Sequence, residues 1–269
     1  MKLTFLGTCS GTEPWPGRRH CSFILEHRQG VYWFDAGEGC SYTAHLAGVD
    51  LLATRAIFIS HAHFDHVDGL ANLLWNMGKL EGIRGKAHGD VAAGAVRVLI
   101  PDLQVWEGVT LMLGGVRAGR VAGIGVCASR YDDGPIYEGE GLKVLARHNR
   151  HLGAPSPGLA AAEPGGGWMS FSFRIEADGR KLAYSGDVAD VAEVAPLAEG
   201  CDLLLMETGH HEVEAVCRHL RDTGLPFGRL GFTHHGRAIL ADPEGELRKA
   251  QHILGDRVFI ADDGMEVDL

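Results

Sequence analysis

Four side chains that can bind a metal ion lie within six residues of this chain, namely His61, His63, Asp65 and His66. The run follows an apolar segment, 55–60, whose pattern predicts a buried strand. Neutral imidazole and carboxylate groups are ligands that suit a borderline divalent ion such as zinc. A surface histidine tract is the alternative interpretation. The strand before the run and the apolar segment after it favour a metal site at the end of a strand.

The metal-binding run is part of a longer pattern. It is preceded by Phe34-Asp35-Ala36-Gly37-Glu38-Gly39 and followed by Val67-Asp68-Gly69-Leu70, and together these segments resemble the signature of metallo-β-lactamase-fold hydrolases. Residues 2–8 are similar to the branch that contains ribonuclease Z and the cyclic-phosphate phosphodiesterase of phosphonate breakdown. Later segments with counterparts in that branch are Tyr184-Ser185-Gly186-Asp187, Phe232-Thr233-His234 and Asp263-Gly264-Met265-Glu266-Val267. The resemblance implies one α/β (α+β) domain over residues 1–269, folded as a four-layer αββα sandwich with two metal ions at one edge.

The resemblance also implies which residues hold the two ions. His61 and His63 would bind one ion, Asp65 and His66 would bind the other, and Asp187 would bridge both. Asp65 would also belong to the catalytic group. Zinc is the metal that this set of histidines and aspartates favours, although manganese or iron tolerates the same ligands.

Two further ligand positions each have two candidates. In the family, the third histidine of the first ion follows a strand valine by seven residues, and this spacing points from Val144 to His151. His148 is the alternative at that position. His234 would complete the second ion, with the adjacent His235 as its rival.

The implied chemistry is hydrolysis by a metal-bridging hydroxide. Two divalent ions about 3.5–4 Å apart lower the pKa of a shared water and hold the oxygens of a phosphoryl group. Asp35 would orient a ligand histidine through the second ring nitrogen of that histidine. Alternatively, Asp35 would cap the turn at the end of its strand.

A leaving group also needs a proton, and a second cluster of titratable residues could supply it. Glu207, followed by His210 and His211, resembles the family segment that provides a glutamate and a histidine for this step. Either histidine is a candidate acid, with Glu207 keeping it charged. The alternative is a helix start with solvated histidines.

The sequence also departs from both members of that branch. Phe64 stands where ribonuclease Z typically has glycine, and the arm that grips tRNA is not recognisable between Leu80 and Arg130. The phosphonate enzyme has a cysteine-rich zinc insertion that this chain lacks. We therefore expect a phosphodiesterase for a small or cyclic phosphodiester. The alternatives are a carboxylic or thioester hydrolase, a ribonuclease Z-type RNA 3′ endonuclease, and a catalytically silent metal-dependent binding module.

Composition narrows the class of protein. The chain has 269 residues and a net charge of −10, which favours a small-molecule substrate over a polyanion such as nucleic acid. No apolar run approaches the roughly 18 residues of a membrane span, so we expect a cytoplasmic enzyme without a membrane partner. The oligomeric state stays open, and a homodimer is compatible with the sequence. The six cysteines form no Cys-x-x-Cys pair, which predicts reduced, small core residues rather than a zinc knuckle or disulfides.

Short strands and helices must position these residues. Apolar alternation and turn residues predict strands at 2–6, 21–26, 31–34, 55–60, 142–146, 170–175, 182–184, 202–206, 230–232 and 258–260. The predicted helices cover 41–46, 69–77, 188–197, 213–223 and 245–252. We expect 79–130 to be a lid or loops and 153–168 to be a loop.

Overall fold

The computed structural model of the chain describes residues 1–84, 95–117, 120–153 and 169–269. Its strands are β1 Lys2–Gly7, β2 Ser22–His27, β3 Gly30–Phe34, β4 Thr54–Phe58, β5 Val96–Leu99, β6 Arg120–Val121, β7 Ile124–Ser129, β8 Gly134–Gly139, β9 Leu142–Asn149, β10 Ser170–Ala177, β11 Arg180–Tyr184, β12 Cys201–Thr208, β13 Phe227–His235, β14 Val258–Ile260 and β15 Glu266–Asp268. Its α-helices are α1 Cys40–Leu46, α2 Phe64–Val67, α3 Leu70–Arg84, α4 Leu103–Met112, α5 Ala195–Ala198, α6 Val213–Thr223, α7 Arg237–Ala241 and α8 Pro243–Leu254. Single 3-10 turns lie at Leu51–Ala53, Val191–Val194 and Gly255–Arg257.

Over the described ranges, the strands form two sheets. One has eight strands in the order β15-β1-β2-β3-β4-β5-β7-β6, and the other has seven in the order β14-β13-β12-β11-β10-β9-β8. Strand side chains alternate between the two faces of a sheet. In β2, Phe23 therefore faces the core between the sheets, while its neighbour Ile24 faces the outer core.

The central core between the sheets is rich in aromatic rings. Phe34 stacks on Phe23 with ring centroids 5.0 Å apart and on Phe58 at 4.9 Å, and its edge meets Phe173 of the other sheet at 5.9 Å. Helices α1, α3 and α4 cover the outer face of the first sheet, and α6 and α8 cover that of the second. This arrangement confirms the predicted four-layer αββα sandwich.

Two segments differ from the sequence-based expectation. Within 79–130, the described residues include the end of α3 followed by β5, α4, β6 and β7, and these three strands extend the first sheet. Segment 188–197 is a 3-10 turn followed by the short α5 rather than one helix. A loop is expected at 153–168, and of these residues 154–168 lie outside the part of the chain that the structure describes.

Other expectations are tested only in part. The six cysteines are free thiols, of which five are buried, as expected, while Cys127 is exposed. No helix in the described part of the chain is both long and apolar enough to cross a membrane. One domain over 1–269 stays a prediction.

Strand direction brings the chemistry-bearing residues to one edge. β11, β12 and β13 run parallel to one another, as do β3 and β4. β9 points the same way as β11 because both pair antiparallel with β10. The carboxyl ends of these strands therefore deliver the residues that follow them to a common place.

Candidate metal centre

The first group of candidate ligands comes from three separate strand ends. It contains His61, His63, His151 and Asp187, whose ligand atoms lie within 4.8 Å of one another. Nε2 of His61 is 3.7 Å and Nε2 of His151 is 3.6 Å from Oδ2 of Asp187. Nδ1 of His63 is 3.1 Å from Nε2 of His151. Three imidazoles and one carboxylate converge as ligands do around one divalent ion.

The second group lies beside the first. Asp65, His66 and His234 place their ligand atoms within 4.8 Å of one another. Oδ2 of Asp65 is 3.1 Å from Nε2 of His234 and 3.5 Å from Nε2 of His66. This group offers two imidazoles and one carboxylate.

Asp187 joins the two groups. Its Oδ2 atom faces His61 and His151, whereas its Oδ1 atom is 3.4 Å from Nε2 of both His66 and His234. The side chain is buried, and Asp187 lies three residues after the end of β11. A carboxylate with one oxygen toward each group has the geometry of a bridging ligand.

Unpartnered polar atoms test whether these residues suit metal ions. Among the described residues, Nε2 of His61, Nε2 of His66 and Oδ1 of Asp187 are buried and have no hydrogen-bond partner. Buried polar atoms in proteins are nearly always paired. Three such atoms within the two groups fit a site that binds cations.

The charges of the cluster support the same fit. Burial and the neighbouring histidines hold the pKa of His61 well below its ordinary value, and burial lowers the pKa of His151 to about 4. Both rings are therefore neutral at pH 7, which is the form that binds a metal. Burial also disfavours a charged His234, but Asp187 and Asp65 outweigh it and raise the pKa of His234 to about 9. The carboxylates thus favour positive charge at this point.

Asp35 positions two of the candidate ligands. Its backbone has φ 58°, and its buried carboxylate lies 2.8 Å from Nδ1 of His66. A carboxylate only accepts hydrogen bonds, so Nδ1 of His66 carries the proton and Nε2 is free to bind a metal. Ser60 donates its hydroxyl to Asp35 at 2.9 Å and therefore accepts from Nδ1 of His61 at 3.0 Å. Both rings are held with Nε2 toward Asp187.

Asp35 is itself held by contacts that the sequence analysis missed. It accepts hydrogen bonds from the backbone N–H of Ser60 at 2.6 Å and from the hydroxyl of Tyr184 at 2.7 Å. Asp35 therefore makes the predicted contact with a candidate ligand, and its other hydrogen bonds come from Ser60 and Tyr184 rather than from the turn after its own strand. Tyr184 belongs to a segment that the sequence had singled out, but only for Asp187.

Two glycines allow backbone to approach the site closely. A Cβ at Gly11 would lie 3.0 Å from both carboxylate oxygens of Asp65, and one at Gly209 would lie 2.6 Å from Nδ1 of His234. Any larger residue would displace a candidate ligand. The loop after β1 and the loop after β12 thus close the two sides of the cluster.

His148 and His235, the alternative candidates for two ligand positions, lie outside the cluster of candidate ligands. His148 is exposed, with Nδ1 2.7 Å from Oδ2 of Asp133. His235 is buried rather than solvent-facing, with Nε2 2.8 Å from the backbone oxygen of Ala261. Its pKa is lowered by burial to about 3. The structure thus brings His151 and His234 into the cluster and leaves their rivals outside it.

His210 and His211, the two candidate acids, are adjacent in the sequence, but their side chains lie in different surroundings. Nδ1 of His210 is 3.1 Å from Oε1 of Glu207, and this hydrogen bond raises the pKa of His210. Its ring borders the cleft of about 460 Å³ that also contains Asp187 and His234. His211 instead lines a neighbouring cleft, and its Nε2 is 3.0 Å from the backbone oxygen of Val188.

Comparison with known proteins agrees with this architecture. The β-lactamase superfamily domain matches residues 34–241. Ribonuclease Z of Methanothermobacter thermautotrophicus is 38% identical over 78 residues, which is 29% of this chain and 25% of that relative. The chain thus aligns with about a quarter of that protein's length. Ribonuclease Z of Haloarcula marismortui is 25% identical over 319 aligned positions, covering 99% of this chain and 96% of the relative.

A solved structure shows the same fold. The metallo-β-lactamase fold protein YhfI from Bacillus subtilis has a TM-score of 0.74 at 16% identity, with 99% of each chain covered. The fold family implies divalent metal ions, and the clusters described above could hold them. The chain belongs to the β-lactamase superfamily.

Proposed function

We propose that the chain is a dinuclear metal-dependent phosphodiesterase that cleaves a small or cyclic phosphodiester. The observation that carries this proposal is the position of Asp187, whose two oxygens face two separate groups of candidate ligands at 3.4–3.7 Å. One group would be His61, His63 and His151, and the other Asp65, His66 and His234. Seven ligands exceed the needs of one tetrahedral site.

Two such ions, when bound, would lower the pKa of a shared water and neutralise the charge on the phosphoryl oxygens. Zinc is the proposed metal, with manganese or iron as alternatives. The chain's own task is to hold the ligands in place. Asp35 fixes the ring of His66, and Ser60 links that carboxylate to His61.

His210 is the proposed acid for the leaving group. Glu207 accepts from its Nδ1 atom and raises the pKa of His210, which favours the protonated ring whose opposite nitrogen can donate to a departing alkoxide oxygen. The ring is half-exposed and borders the cleft, which allows it to reach a bound substrate. His211 supports this role less well because its Nε2 already contacts Val188.

The size of the cleft and the charge of the chain support a small substrate. A volume of about 460 Å³ falls within the range of small-molecule pockets. A net charge of −10 disfavours extended contact with a polyanion.

A second candidate function is RNA 3′ processing, which the relatives named ribonuclease Z favour. The same site could also hydrolyse a carboxylic ester or thioester, since an activated water attacks a carbonyl carbon as well as phosphorus. These possibilities differ in substrate and not in the ligand set.

A panel of substrates on the metal-loaded protein separates these candidates. It should include bis(4-nitrophenyl) phosphate, a nucleoside 2′,3′-cyclic phosphate, an acyl thioester and a precursor tRNA with a 3′ trailer. We expect the highest kcat/KM with one of the small phosphodiesters. Preferred cleavage of the precursor tRNA or of the thioester would contradict the proposal. Full metal occupancy without any turnover would indicate a binding module.

A further inference from the structure

Phe64 is an unusual residue for the place it occupies. Its side chain is 77% exposed, and it lines the cleft together with His63 and Asp65, its neighbours in the chain. Of the described residues that line this cleft, Phe64 has the only large apolar side chain, since the others are polar or glycine. Phe64 thus places one large apolar surface in an otherwise polar cleft, where an apolar part of a bound substrate could contact it.

The backbone around Phe64 is firmly held. Phe64 is the first residue of α2, and its carbonyl accepts from the backbone N–H of Asp68 at 2.8 Å. The carbonyl of His63 accepts from the N–H of His66 at 3.1 Å. The flanking side chains of His63 and Asp65 are themselves committed to the cluster. The backbone that carries the ring of Phe64 is therefore held in place by hydrogen bonds.

We propose that Phe64 determines specificity as a platform on which a planar aromatic group of the substrate stacks. This inference rests on the proposed phosphodiesterase function and names its substrate class. The Cα atoms of consecutive residues are about 3.8 Å apart, so the ring starts one residue away from two proposed metal ligands. An aromatic group joined to the phosphoryl group by an ester could contact it.

The rest of the cleft explains why the expected group is aromatic rather than alkyl. Ser10 and Thr12 also line the cleft, and each hydroxyl donates to a backbone oxygen, of His235 and of Glu13, so that its own oxygen can still accept a hydrogen bond. A ring with apolar faces and a polar edge, such as a nucleobase, matches one apolar surface and one hydroxyl-bearing wall. A simple aryl ring shares the stacking face without the polar edge. Stacking of bases on aromatic side chains tolerates different bases because every base has a π face.

Binding of product-like monoesters tests the platform without relying on turnover. Calorimetric titration of the metal-loaded protein would compare phenyl phosphate with cyclohexyl phosphate, and adenosine 5′-monophosphate with ribose 5-phosphate. Each pair shares the phosphate and differs in the aromatic group. We expect the aromatic member to bind about 5- to 150-fold more tightly, the usual effect of one stacked ring. A preference only in the nucleoside pair would identify a nucleobase, and one in both pairs an aryl group in general.

Variants of Phe64 show whether this ring causes the preference. Phe64→Ala and Phe64→Leu should abolish it, and Phe64→Trp should retain it. Tyr42→Ala is the matched control, because Tyr42 is an aromatic residue of α1 that is 58% exposed and does not line the cleft. Equal binding within both wild-type pairs, or an undiminished preference in Phe64→Leu, would overturn the inference. An aromatic preference in a protein that hydrolyses no phosphodiester would refute the proposed function and leave the platform standing.

Discussion

Replacing Asp35 by asparagine tests whether its carboxylate holds His66 in the orientation and protonation state that can bind a metal ion. The carboxylate accepts four hydrogen bonds: Oδ1 from the backbone of Ser60, and Oδ2 from the hydroxyl of Ser60, from His66 and from Tyr184. An amide of the same shape has only one accepting oxygen. Whichever way it turns, its NH₂ group faces at least one buried donor.

The expected magnitude follows from these contacts. A buried donor left without an acceptor costs about 1–3 kcal/mol, so Asp35→Asn should lower the free energy of unfolding by that amount. If the NH₂ group faces His66, Nδ1 of that ring must accept, and Nε2 then carries the proton and cannot bind a metal. Loss of such a partner typically weakens metal binding about 10- to 100-fold. The loss should be concentrated in the ion held by His66.

Chelator competition followed by metal analysis measures this effect. We expect wild type to release its two ions over a narrow range of chelator, and Asp35→Asn to release one ion early and the other near the wild-type position. Tyr184→Phe is the matched control because it removes one donor and keeps the carboxylate, and it should change either affinity by less than about threefold. Unchanged release of both ions would refute the role assigned to Asp35, whereas an equal shift of both would show that its link to His61 through Ser60 matters as much as its contact with His66.

The remaining predictions concern histidines whose roles the geometry separates. His151→Ala should lose at least one ion and nearly all turnover, whereas His148→Ala should retain both, as metal analysis and initial rates would show; the opposite result would reverse this assignment. His210→Ala should slow esters with alkoxide leaving groups about 10²- to 10⁴-fold and change nitrophenyl esters little, because nitrophenolate leaves without a proton. Rates on both ester types should be compared at constant metal content, and wild-type rates on alkyl esters would remove His210 from the mechanism.

The extent of sequence-based prediction differs between parts of the molecule. The run from His61 to His66 is contiguous, so its metal-binding character was visible directly. Apolar alternation predicted single strands such as β2, whereas the sandwich of two sheets was implied by the family resemblance. The role of Tyr184 could not be read in this way, because its contact with Asp35 joins residues 149 positions apart.

Neighbouring residues were a second source of ambiguity. His210 and His211 have the same chemistry, and only the path of the chain after β12 turns one ring into the cleft and the other toward Val188. Segment 79–130 is rich in glycine, which hid the strands that extend the first sheet. The exposure of Phe64 depends on its surroundings and has no local sequence signal.

The number of metal ions per chain tests the central claim most directly. Purified protein loaded with zinc and freed of excess metal should contain about two ions per chain by elemental analysis, because Asp187 faces two complete groups of candidate ligands. Asp187→Ala, measured in the same way, should hold clearly fewer. A wild-type stoichiometry that stays at one ion under metal-replete conditions would contradict the dinuclear site and the mechanism based on it.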